Sequence, residues 1–330
     1  MHPLPDKSIG SGNPSRTVHR HSATVLFWFV IGVPLLGLVL AFPLVRSSSF
    51  MKYADNYGLT AERALFEKSN QPCDVVVSGD STSMMGLDPR IIENETHLSV
   101  CNVGATMPMI ELLGLAPLDE YLSRNPKPKY LLLQFHVENL RELPNPNLKF
   151  ESVEGFVPLI RYSGLLTAIR VMAKHPDAFI GMMHYAYVVS IHNVRVRSIK
   201  NRVPIVTKEL GAYSVMPFQP LQECPKVEYA PVQPEAGAWI QSLRKRYADK
   251  ADYVIVNVAP TSPCNSQFSQ WRNSLDGQID NQLTIYPLNL FVDDYFHLSR
   301  NGALRSSAET AAEIDRIRDH SSESTQPAHQ

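Results

Sequence analysis

Residues 73–83 read CDVVVSGDSTS, and the fold turns on how this stretch is interpreted. Its first half is a continuous apolar run without polar alternation, the pattern of a strand buried on both faces. Gly79 permits a tight turn. Ser81 then falls at the C-terminal end of the strand, where the next helix opens. Outward from here the same pattern recurs at 97–104 (HLSVCNVG), 129–135 (KYLLLQF), 252–258 (DYVIVNV) and 282–288 (QLTIYPL). Between these runs lie helical candidates at 107–124, 235–250, 266–281 and 300–318. Strand–helix alternation predicts a doubly wound parallel α/β sheet covered on both faces.

Open sheets of this kind bind ligands at the C-terminal edge of the strands, so the residues just past each strand matter most. After the first strand, Ser81 sits where a helix N-terminus offers backbone N–H groups to a developing negative charge. The plainer alternative is that Ser81 and Ser83 are helix caps. After the second strand, Gly104 allows either close backbone approach to a ligand or a turn with positive φ. After the third, Asn139 can donate a side-chain N–H to an oxyanion or serve as a turn residue, with His136 the next candidate. The segment FVDDYFHLSRNGA (291–303) places Asp294 three residues before His297, ahead of a helix that Ser299 could cap. A carboxylate on one imidazole nitrogen fixes the tautomer, and the other nitrogen can then take a proton from a serine. The alternative is a solvated loop with incidental charges.

These blocks, in this order, resemble the SGNH (GDSL-type) hydrolase family. Gly79-Asp80-Ser81 matches its nucleophile block, Gly104 its second block, and Asp294, His297 and Leu298 its D-x-x-H-L block. The third block departs from the usual G-x-N-D: the strand ends in His136-Val137-Glu138-Asn139. No G-x-S-x-G surrounds Ser81, so the α/β-hydrolase elbow does not apply. The resemblance implies a flavodoxin-like three-layer domain with Ser81 as nucleophile, His297 as base and Asp294 orienting it. It also implies an oxyanion hole of the Ser81 and Gly104 N–H groups and the Asn139 side chain. The implied activity is acyl-ester hydrolysis or O-acyl transfer on extracytoplasmic carbohydrate or polysaccharide, with a membrane-bound acyl-donor protein as a partner in the transfer case. No cofactor or metal is implied. A non-catalytic polysaccharide-binding or scaffold subunit of an export or modification complex is the alternative.

The rest of the chain sets the context. Residues 1–21 are polar and read as a disordered cytoplasmic tail. Residues 22–45 are 24 in number with no charged side chain. At about 1.5 Å per residue this is roughly 36 Å of helix, enough to cross a bilayer core of about 30 Å. Lys7, Arg16 and Arg20 precede it, which orients the N-terminus to the cytoplasm and the bulk of the chain to the periplasmic side. A cleaved signal is the alternative. It is disfavoured by the length of the run and the lack of an A-x-A-like site. A stalk (46–72) leads to the catalytic domain (73–319), and a polar tail (320–330) closes the chain. Within the domain, 140–234 forms an insertion that caps the sheet. Its uncharged stretch 178–194 is followed by Arg195, Arg197, Lys200 and Arg202, so it reads either as a helix buried in the cap or as one lying on the membrane surface.

With 31 basic and 32 acidic residues there is no basic excess to suggest nucleic acid. The four cysteines all follow the apolar run. Four cysteines allow three full pairings, and the sequence does not choose among them; Cys224 and Cys264, in polar loops, are the more plausible pair. Cys73 and Cys101 fall in buried strands and read as reduced.

Overall fold

The structure, a computed structural model, describes residues 72–142, 220–292 and 296–323, with isolated positions within 25–43 and 166–173. The chain divides into two compact units, 1–50 and 51–330.

The larger unit is an α/β fold on a four-stranded, wholly parallel sheet in the order β2-β1-β3-β4. Its strands are β1 (Val75–Gly79), β2 (Val100–Asn102), β3 (Tyr130–Phe135) and β4 (Tyr253–Val258). The register places Val76 beside Cys101 and Leu131, and Leu133 beside Val256. Every residue of β1 and β3 is buried, which is why their sequences do not alternate.

Successive side chains point to opposite faces, and each face has its own core. On one face Val76, Leu131, Leu133, Phe135 and Val256 pack with α3 (Met107–Leu113), α4 (Ala116–Arg124), α5 (Ala236–Tyr247) and α6 (Phe268–Leu275). On the other, Val75, Val77, Val100, Leu132 and Ile255 meet Leu87, Ile92 of α2 (Pro89–Thr96), and Ala311 and Ile314 of α7 (Arg300–Glu323). A short helix, α1 (Ser81–Gly86), follows β1 directly. The predicted helix 107–124 is two helices, parted at Gly114, where φ is 60°. α7 runs on to Glu323, past the predicted end of the domain.

Two expectations fail for clear reasons. Residues 282–288 do not form a fifth strand. They contribute one parallel bridge, Thr261 to Ile285. The open edge of β4 is met instead by Asp280 and Asn281, through one backbone bond, Asp280 N–H to the Val256 carbonyl at 3.0 Å, and through their side chains. Asp280 accepts from the Val256 N–H at 2.7 Å and Asn281 accepts from the Val258 N–H at 3.1 Å, while the Asn281 amide donates to the Val258 carbonyl at 2.7 Å. Arg244 holds the Asp280 carboxylate in place at 2.7 Å. The edge is blunted without a pairing partner. Cys73 and Cys101 are not reduced. They form a disulfide between the segment leading into β1 and the middle of β2, with Cα atoms 5.8 Å apart. The expected Cys224–Cys264 disulfide is present, with Cα atoms 5.5 Å apart.

The last part of the predicted insertion belongs to the main body. Tyr229 is buried in the core, and the Trp271 indole donates to the Ala230 carbonyl at 2.8 Å. The stretch 178–194 lies outside the described residues. So does most of the predicted span 22–45. Among the described residues no helix is long and apolar enough to cross a membrane. A π-helical turn covers Trp28–Gly32, and Val25, Leu26, Trp28, Phe29, Leu36 and Val39 are each at least 50% exposed.

Candidate active site

The C-terminal edge of the sheet is organised around Asp80. Gly79 makes the turn out of β1 with φ at 138°, a conformation that glycine alone adopts readily. A Cβ there would lie 1.8 Å from the Gln134 carbonyl oxygen of the neighbouring strand. Asp80 then caps α1 and is fully buried. One carboxylate oxygen accepts from the Thr82 N–H at 2.9 Å and the Thr82 hydroxyl at 2.6 Å. The other accepts from the His136 N–H at 2.8 Å and the Asn139 amide at 2.7 Å. One side chain therefore binds the end of β1, the start of α1 and the end of β3.

With Asp80 as the cap, Ser81 is released from that role and occupies the first helical position. Its hydroxyl lies 2.8 Å from the His297 Nε2. Both residues are half-buried. Ser83 is not at the cap position either; its hydroxyl donates to the Asp80 carbonyl at 2.8 Å. The Ser81 N–H is among the first of α1, where the helix's own ladder supplies no acceptor.

His297 reaches Ser81 because its loop is pinned at both ends. The Val292 N–H donates to the His297 carbonyl at 3.0 Å, and the Ser299 N–H donates to the Leu290 carbonyl at 2.8 Å. Ser299 caps α7 as expected, its hydroxyl accepting from the Gly302 N–H at 3.3 Å. The His297 ring lies against Phe296, with centroids 4.6 Å apart, and Phe296 against His136 at 5.6 Å. Asp294, the expected partner of His297, lies outside the described residues.

The expected oxyanion donors are placed as follows. The Gly104 N–H donates to the Asn102 side-chain carbonyl at 2.9 Å. The Asn102 amide in turn donates to the Ser83 and Leu87 carbonyls at 2.9 and 3.0 Å, tying β2 to both ends of α1. Gly104 is glycine for a steric reason: a Cβ would lie 2.5 Å from the Ser83 hydroxyl and 2.7 Å from the Met84 nitrogen. Asn139 gives one amide proton to Asp80 and keeps a second.

Two residues that position the site were given no role from the sequence: Asp80, noted only as the middle residue of the Gly79-Asp80-Ser81 block, and Asn102, at the end of the second strand. A polar residue that closes an otherwise apolar predicted strand is the signal that would have found both.

Comparison with known proteins returns no match: no family model, no curated protein and no solved structure is similar to this chain.

Proposed function

We propose that this chain is a serine-dependent acyl-ester hydrolase or O-acyltransferase of the SGNH kind, acting outside the cytoplasm on O-acyl groups of carbohydrate. The observation that carries the reading is the 2.8 Å approach of His297 Nε2 to the Ser81 hydroxyl at the C-terminal edge of a parallel sheet, between residues 216 positions apart. A nucleophile and base within hydrogen-bond reach at this edge form the working part of a serine acyl-transfer centre. The strand order 2-1-3-4 is also the order of a flavodoxin-like sheet.

In the proposed reaction the Ser81 oxygen bonds to the ester carbonyl carbon as its proton passes to His297 Nε2. The carbon–oxygen bond to the leaving alcohol breaks, and His297 returns the proton to that alcohol. Water or a sugar hydroxyl then attacks the acyl-enzyme, His297 takes its proton, and Ser81 is released with the proton restored. Asp294 orients His297. The Ser81 N–H and the second Asn139 amide proton face the developing oxyanion. The N–H of Gly104, the third expected donor, is bonded to the Asn102 side chain.

Two disulfides suit an oxidising compartment. Exposed apolar side chains between Val25 and Val39 suit a membrane anchor. Both support a periplasmic domain on a single N-terminal span.

The test is labelling of the full-length protein by a fluorophosphonate, with hydrolysis of 4-nitrophenyl acetate followed in parallel. Ser81 should carry the label, and Ser81→Ala should lose both label and hydrolysis while its melting temperature is unchanged. An Ala variant with more than about a tenth of the parent rate would rule out Ser81 as nucleophile.

A further inference from the structure

Phe296 is a half-buried apolar ring in a stretch that also carries Asp293, Asp294 and Arg300. It sits between two imidazoles. Its ring centroid lies 4.6 Å from that of His297, at an interplanar angle of 60°, and 5.6 Å from that of His136. His136 is a firm support. It is 5% exposed, and its ring meets Trp271 at 84° with centroids 5.6 Å apart. Trp271 is wholly buried, and its indole N–H is held by the Ala230 carbonyl. The His136 N–H donates to the Asp80 carboxylate at 2.8 Å, and Asp80 precedes Ser81. These contacts close a circuit. It runs from the Ser81 hydroxyl to His297, to Phe296, to His136, to Asp80, and along the chain back to Ser81. Phe296 is the member that connects the imidazole of His297 to the turn that presents Ser81.

We propose that Phe296 is a positioning residue: it holds the His297 imidazole in the rotamer that keeps Nε2 on the Ser81 hydroxyl. The role rests on the reading of Ser81 and His297 as an acyl-transfer pair. The Val292 N–H pins the His297 backbone through its carbonyl, but a half-buried imidazole can still turn about χ1 and χ2. A packed neighbour removes the alternative rotamers, and a rigid support behind that neighbour fixes distance as well as direction. Because the support is His136, His297 is held relative to the same residue whose N–H fixes the cap of α1. The contact is apolar, so it competes for neither ring nitrogen. In the same reading Asp294 sets the tautomer of His297, and Phe296 sets where the ring stands. A misplacement of about 1 Å between reacting groups can cost about 10²-fold in rate, which gives the scale of the effect.

The test uses the full-length protein in dodecyl maltoside micelles. Hydrolysis of 4-nitrophenyl acetate and butyrate gives kcat and KM for Phe296→Ala, Phe296→Leu and Phe296→Tyr. Phe296→Ala should lose about 10²-fold in kcat with KM unchanged. Phe296→Leu should lose less, and it serves should Phe296→Ala fail to fold. Phe296→Tyr, which keeps the ring, should recover most of the rate. An unchanged kcat would overturn the proposal. So would a gain on butyrate relative to acetate, which would make Phe296 a wall of the acyl pocket. A second readout needs no ester chemistry. Diethyl pyrocarbonate acylates a free neutral imidazole nitrogen, and its rate on His297 is followed by peptide mass spectrometry in the parent, Phe296→Ala, Ser81→Ala and the double variant. If Phe296 keeps Nε2 on Ser81, either change frees the same nitrogen. Each single variant should then react about fivefold faster, the weight of one hydrogen bond, and the double variant little faster than Ser81→Ala alone. Factors that multiply in the double variant would overturn the proposal and leave Phe296 as a shield over His297. Should the parent hydrolyse neither ester, the ester reading falls and this cycle alone decides the role of Phe296.

Discussion

The Asn139 amide donates to the buried Asp80 carboxylate at 2.7 Å, joining the end of β3 to the turn that presents Ser81. Asp80 takes three further bonds, from the His136 N–H, the Thr82 N–H and the Thr82 hydroxyl. Asp80→Ala would strand these donors in a fully buried place. Each such loss costs about 1–3 kcal/mol, so the variant should be destabilised by at least about 3 kcal/mol. Denaturant unfolding measures this directly. A loss under about 1 kcal/mol would mean that the turn stands without its hub.

On the proposed chemistry Asn139 has two separable roles. Its bond to Asp80 is structural, and its second amide proton is the one available to an oxyanion. Asn139→Ala should lower kcat by roughly 10²–10³-fold with little change in KM. The same variant should lose only about 1–2 kcal/mol of stability, since Asp80 retains three bonds. If the rate falls no further than the folded fraction does, Asn139 is a positioning residue alone.

The sequence reading succeeded where one element carried its own signal. β1 and β3 announce themselves as continuous apolar runs because both of their faces are covered. The reading failed where the deciding contact joins distant residues. Residues 282–288 look like another buried strand, but Asp280 and Asn281 already meet the β4 edge through side chains and one backbone bond, and no apolar pattern records that. Cys73 and Cys101 are 28 positions apart and become partners only because β1 and β2 lie side by side. Asn257 and Glu313 are 56 positions apart, and nothing local in either segment marks the hydrogen bond that joins them.

The two disulfides close loops of 28 and 40 residues. Cross-links of this span stabilise by about 3–4 kcal/mol each on the chain-entropy estimate. Reduction should therefore lower the melting temperature by at least about 5 °C. Two further mass units per bridge should appear only after reduction. Protein recovered from its native compartment with all thiols free would contradict both the pairing and the periplasmic reading.

Topology gives an independent check on that compartment. Because α7 extends to Glu323, a reporter is best fused after Gln330. Alkaline phosphatase, which needs disulfides, should be active there, and a cytoplasm-dependent fluorescent protein should be dark. The opposite pattern would place the domain in the cytoplasm. A mature chain beginning just after Val45 would replace the anchor with a cleaved signal.

Glu313 makes stability depend on pH in a direction opposite to that of most carboxylates. Burial pushes its carboxyl above the ordinary 4.5, and Asp280 pushes the same way, while the Asn257 amide and Arg316 oppose them. In the unfolded chain the group titrates near its ordinary value. Between that value and the raised one, the native state holds a proton that the unfolded chain has released. Stability contributed by the neutral form is complete below about pH 4.5 and is lost as pH rises through the folded value. Glu313→Gln keeps the acceptor for the Asn257 amide and cannot ionise. The melting temperatures of variant and parent should coincide near about pH 4, and the variant should melt higher by about pH 8. A variant that melts lower than the parent at high pH would show that the ionised carboxylate is stabilising in the fold, as a bound cation beside it would make it.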